Sequence, residues 1–131
     1  MTVIYGGYVV SDPDTREMLE KISDCLDRSV LVTSGDRSSV PKGGARDSMH
    51  LTHMAADFHV SGMTDRAAFR AIKDRGTEIF GDSMEFQLIW HGSSTQTAGP
   101  HLHLGNAAMV AHKRGFWQEG VTSKGVYQRL H

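Results

Sequence analysis

The chain has 131 residues, of which 39% are hydrophobic and 22% charged, and its formal net charge is -1 with His neutral. That is the size and balance of one globular domain, taken here as residues 1–131, with a real but modest core. No basic surplus is present to neutralise a phosphate backbone, which argues against nucleic acid as a partner, and no apolar run approaches the ~20 residues of a membrane helix.

The first ten residues, MTVIYGGYVV, carry no basic stretch and no long apolar core, so they do not read as a secretory signal peptide. They read as a short extended piece with a break at Gly6-Gly7. Asp12 and Pro13 then look like a helix start, one capping and the other in the first turn. Met18, Leu19, Ile22, Cys25 and Leu26 follow at helical spacing, so the helix is expected to run to about Arg28 as a core element. Cys25 is the single cysteine, cannot staple the fold, and falls on the apolar side of this helix.

Residues 30–34 are β-branched and short, which predicts a strand. Residues 35–49 are loop, rich in Gly, Ser and Asp, with Pro41 and Gly43-Gly44. So long an excursion in a small domain is expected to line a site. Residues 54–60 alternate: Met54, Ala56, Phe58 and Val60 point one way, Ala55, Asp57 and His59 the other. An Asp among apolar strand residues is costly unless paired.

Thr64 is expected to cap a second helix over residues 65–80, weakened near its end by Gly76. Residues 84–90, MEFQLIW, predict a third strand, 91–100 a polar loop, and 101–104 a fourth strand. Beyond that, 107–113 reads as helical, and Phe116-Trp117 as closing the core.

Histidine stands out in this composition, at 8 residues gathered in two places. His50 and Asp57 are seven positions apart, across a turn and into a strand, and His103 lies on a later strand. Two imidazoles and one carboxylate make a three-ligand set with a fourth position open, the pattern of a catalytic zinc. Alternation puts His101 on the same strand face as His103, beside the proposed metal. Each of these residues alone has an ordinary reading: a surface histidine, a loop-capping aspartate, or, for Arg37, a solvated charge. His53, His59, His91, His112 and His131 are taken as structural or exposed.

Three segments together resemble the zinc peptidases of the D-alanyl-D-alanine carboxypeptidase and murein endopeptidase type, the M15 or LAS group. The first is Ser34-Gly35-Asp36-Arg37-Ser38. The second is Ser48-Met49-His50-Leu51-Thr52-His53-Met54-Ala55-Ala56-Asp57, with His53 where the family has Gly. The third is His101-Leu102-His103, and Phe86-Gln87-Leu88-Ile89-Trp90 resembles the strand that precedes it. The resemblance spans roughly residues 30–105. It implies an α+β fold of the LAS metallopeptidase type, with a small antiparallel sheet, helices packed on one face, and the site on the other.

It further implies a zinc peptidase acting on peptide bonds that involve D-amino acids in bacterial peptidoglycan, as a DD-carboxypeptidase or an endopeptidase. His50, Asp57 and His103 would hold Zn2+. Arg37 would bind a substrate carboxylate or carbonyl with its planar fork, and Ser48 would assist by hydrogen bonding. The acid that many members carry just before the late His is missing from residues 98–102. His101 is then the first candidate for the proton-handling group and Glu85 the second. A non-catalytic cell-wall-binding or metal-binding module on the same fold is the alternative. Without a signal peptide, the chain is expected to be made in the cytoplasm. It would then reach the periplasm or wall by phage lysis or a secretion machine.

Overall fold

Asp12 ends the extended N-terminal run by capping helix α1, Pro13–Leu26. Its carboxylate accepts from the Thr15 backbone N–H at 2.9 Å and from the Thr15 hydroxyl at 2.7 Å. The N–H is one of the backbone donors that a helix start otherwise leaves unpaired. Leu19 and Ile22 line the buried side of α1. Thr64 repeats the device for helix α2, Asp65–Asp74, by accepting from the Ala67 N–H at 3.1 Å. The computed structural model describes residues 2–36, 53–82 and 85–130. No helix among them is long and apolar enough to cross a membrane.

Seven strands form one sheet: β1 (Val3–Ile4), β2 (Val30–Ser34), β3 (Ala55–Val60), β4 (Phe86–His91), β5 (His101–Asn106), β6 (Gly115–Glu119) and β7 (Tyr127–Leu130). Their spatial order is β1-β2-β3-β5-β4-β6-β7. The central four strands, β2-β3-β5-β4, pair antiparallel, as the resemblance implied. The expected small antiparallel sheet is nevertheless corrected to a larger mixed one, because β1 runs parallel to β2 and β6 runs parallel to β4. The added strands carry little pattern of their own: β1 has two residues, and Tyr127, Gln128 and Arg129 of β7 are exposed, so no apolar alternation marks them.

Two helix expectations are also corrected. The helix over 65–80 is in fact two, α2 and α3 (Gly76–Phe80), broken at Arg75, whose φ of -109° and ψ of 24° leave the helical region. The helix over 107–113 shrinks to a 3-10 turn, Ala111–Lys113, that leads into β6.

Strand alternation sorts the two faces. Ala56, Phe58, Val60, Leu88, Leu102 and Leu104 join Leu19, Ile22, Ala68, Phe69, Ile72 and Ile79 in one core. An aromatic cluster closes its far end. Phe80 stacks on Phe86 with centroids 3.8 Å apart, and Phe116 meets Phe86 edge-on at 4.9 Å. The opposite face carries Asp57, His103 and His101, so helices cover one side and the polar cluster lies on the other.

Candidate functional site

Register builds this cluster. Asp57 on β3 lies opposite His103 on β5, and His103 lies opposite Ile89 on β4. One step along, His101 lies opposite His91, His91 opposite Glu119 on β6, and Glu119 opposite Tyr127 on β7. These residues share strand parity, so they form two neighbouring rows across one sheet face. Asp57, His91, His103 and Glu119 are all buried.

Two ring nitrogens converge on one carboxylate oxygen. His103 Nδ1 is 3.2 Å from Asp57 Oδ1, and His101 Nε2 is 3.4 Å from the same atom. In a tetrahedral zinc site with bonds of about 2.0–2.2 Å, ligand atoms lie about 3.3–3.6 Å apart. The Asp57 and His103 donor atoms, at 3.2 Å, are close to the separation of two ligands on one such ion. The His101 ring has a fixed sense, because its Nδ1 is 2.7 Å from the Gly99 carbonyl, which can only accept. A proton on Nδ1 leaves Nε2 of the neutral ring as an acceptor facing a carboxylate.

Of the expected ligands, the structure brings Asp57 and His103 together. His50, Arg37 and Ser48 lie outside the described residues. Among the described residues, no three His, Cys, Asp or Glu side chains form a complete metal group. Ser34 is the register partner of Asp57, so the run that carries Arg37 leaves the sheet at the level of the carboxylate. Glu85 is not brought to the cluster. It precedes β4 at the end opposite His91, its carboxylate is 4.0 Å from the Arg114 guanidinium, and it lines a separate crevice with Asp14, Glu17 and Asn106. His53 has φ 59°, left-handed backbone that favours glycine, and its Nδ1 is 3.9 Å from Asp36 Oδ2.

Sequence reasoning missed His91 and Glu119. His91 Nδ1 is 2.6 Å from Glu119 Oε1, and the His91 ring stacks on His101 with centroids 4.5 Å apart. Burial pushes the His91 imidazole below its ordinary value, partly offset by the hydrogen bond to Glu119. Burial works against ionisation of Glu119. The hydrogen bonds from Thr95, His91 and the Gly125 and Gln96 backbones outweigh it and hold the carboxyl below its ordinary value. A neutral His91 thus donates from Nδ1 to an ionised Glu119. His91 had one readable signal, a strand parity shared with Gln87 and Ile89. Glu119 had none, since its pairing with β4 is a tertiary event.

The family model described as Peptidase M15 matches residues 4–89. No curated protein and no solved structure matches the chain. The matched stretch includes Asp57 and ends at Ile89, before β5, so His101 and His103 lie beyond it. Since it covers more than half of the 131 residues, the chain belongs to the peptidase M15 family.

Proposed function

We propose that the chain is a zinc-dependent peptidase that cleaves peptide bonds involving D-amino acids in bacterial peptidoglycan, as a DD-carboxypeptidase or an endopeptidase. One observation carries this reading. In a member of a peptidase family, a buried carboxylate oxygen lies 3.2 Å from the His103 imidazole, near the separation of two zinc ligands, with the His101 ring beside them at 3.4 Å. Asp57 and His103, with His50, would hold the ion. Zinc bound there supplies a water of lowered pKa and a Lewis acid for the scissile carbonyl.

The chain's own groups do the rest. Asp57 contributes the negative charge that retains a dication. His101 keeps one proton on Nδ1 against the Gly99 carbonyl, which leaves Nε2 to take a proton and return it to the departing amine. Arg37 binds a substrate carboxylate or carbonyl through two parallel hydrogen bonds, and Ser48 adds another. Action on peptidoglycan requires delivery to the periplasm or wall, by phage lysis or a secretion machine.

The test pairs elemental analysis with amine release from purified peptidoglycan. Wild-type protein should carry one zinc and release new amines, and His103→Ala should do neither. Full zinc occupancy in His103→Ala, or no amine release by zinc-loaded wild type, overturns the reading.

A further inference from the structure

Glu119 is fully buried, and three of its side-chain hydrogen bonds, from His91, Thr95 and Gln96, lead to the flank of His101. Its carboxylate joins three pieces of chain. Oε1 accepts from His91 Nδ1 on β4 and from the Thr95 hydroxyl at 2.5 Å. Oε2 accepts from the Gln96 N–H at 3.1 Å and from the Gly125 N–H at 2.9 Å. Thr95 and Gln96 belong to the loop 92–100, which contains Gly99 and so supplies the carbonyl that orients His101. Gly125 belongs to the turn between β6 and β7.

Backbone proximity shows independently that loop and turn are pressed together. The Gly92 N–H donates to the Glu119 carbonyl and the Ser94 N–H to the Gly120 carbonyl, both at 2.8 Å. Gly120 has φ 69°, and a Cβ there would lie 2.3 Å from Thr95 Cα. The His91 ring is fixed on all sides as well. Glu119 holds its Nδ1, His101 stacks on it, and Tyr127 meets it edge-on with centroids 6.2 Å apart at 89°.

A buried charge is costly, and apolar packing of similar volume would ordinarily serve stability as well or better. Here the charge accepts four hydrogen bonds, and three of them fix the two surfaces touching His101: the ring beneath it and the loop behind it. We propose that Glu119 and His91 are positioning residues for His101, the carboxylate clasping loop 92–100 and seating the His91 ring so that His101 Nε2 is aimed at Asp57. The catalytic part of this inference rests on the proton-handling role given to His101 above. The geometric part does not.

The test uses the zinc-loaded full chain and the variant Glu119→Gln. Zinc content should be unchanged. The kcat for peptidoglycan peptide should fall about 10–100-fold, as for other groups that orient a working side chain, with KM nearly constant. In a His101→Ala background, Glu119→Gln should add no further loss, since its effect runs through that ring. Histidine 15N NMR supplies a readout free of activity: the His101 ring signals should shift and broaden in Glu119→Gln while those of His59 stay put.

Undiminished kcat, an equal further loss in the His101→Ala background, or unchanged His101 ring signals would each overturn the proposal. Should zinc-loaded wild type not hydrolyse peptidoglycan, the peptidase reading falls by itself and the ring signals alone decide the positioning. Should Glu119→Gln not fold, Thr95→Val removes one donor to the carboxylate and Thr95→Ser restores it. The same readouts then apply, with Thr95→Ser expected to behave as wild type.

Discussion

His101 and Glu85 were both candidates for moving protons, and their surroundings separate them. His101 has one nitrogen tied to the Gly99 carbonyl and the other 3.4 Å from Asp57 Oδ1. Glu85 is half-exposed at the other end of β4, beside Arg114. We expect His101→Ala to keep its zinc and to lose about 10²–10⁴-fold in turnover, the usual contribution of a general acid–base group. Glu85→Gln should be nearly silent. Steady-state kinetics on zinc-loaded protein checks both, and loss of zinc from His101→Ala would make that residue a ligand instead.

Among the elements, α3 and β6 meet through aromatic rings. Phe116 on β6 touches Phe69, Phe80 and Phe86, with ring centroids 6.2, 6.1 and 4.9 Å away. Gly76 at the start of α3 leaves room for this ring, since a Cβ there would lie 3.2 Å from Phe116 Cζ. The five-residue α3 is too short to be stable alone, so it relies on packing against α1 and α2 and on these rings. We expect Phe116→Ala to cost about 3 kcal/mol, the low end for a buried aromatic because Phe116 is at the margin of the core. Urea unfolding followed by circular dichroism would measure it. A cost under about 1 kcal/mol would show that β6 docks without this ring.

At the level of the whole molecule, the sheet separates two kinds of interior. One face packs an apolar core against three helices. The other buries ionisable groups that depend on one another, and their linkage makes stability sensitive to acid. Glu119 is held below its ordinary value, so its unfolded form binds protons more readily. Its contribution is therefore complete above the unfolded value of about 4.3 and is lost as pH falls through the lower folded value. We expect the stability difference between wild type and Glu119→Gln, both metal-free, to be present at pH 5. It should then shrink as the pH falls toward ~2. Urea unfolding across that range checks it, and a difference that grows with acid would reverse the assigned direction.

Short-range chemistry was legible in the residues themselves. The Asp12 and Thr64 caps, the core faces of α1 and α2, and the alternation of β3 and β5 follow from local spacing, because a cap acts over three residues and a strand face repeats every two. The same alternation was enough to put His101 and His103 on one face. Three results needed the folded chain. The helix over 65–80 breaks fully at Arg75, whereas Gly76 beside it had marked only a weakened end. The sheet gained β1, β6 and β7 as paired strands: β1 was readable only as a short extended piece, β6 only as the Phe116-Trp117 pair closing the core, and β7 is too exposed to carry an apolar signal. The pairing of His91 with Glu119, 28 residues apart, exists only because β6 crosses over to lie parallel to β4. Hydrophobic period tells each residue which way to face. Which strand it faces is settled by loop closure and by the burial that only the assembled sheet provides.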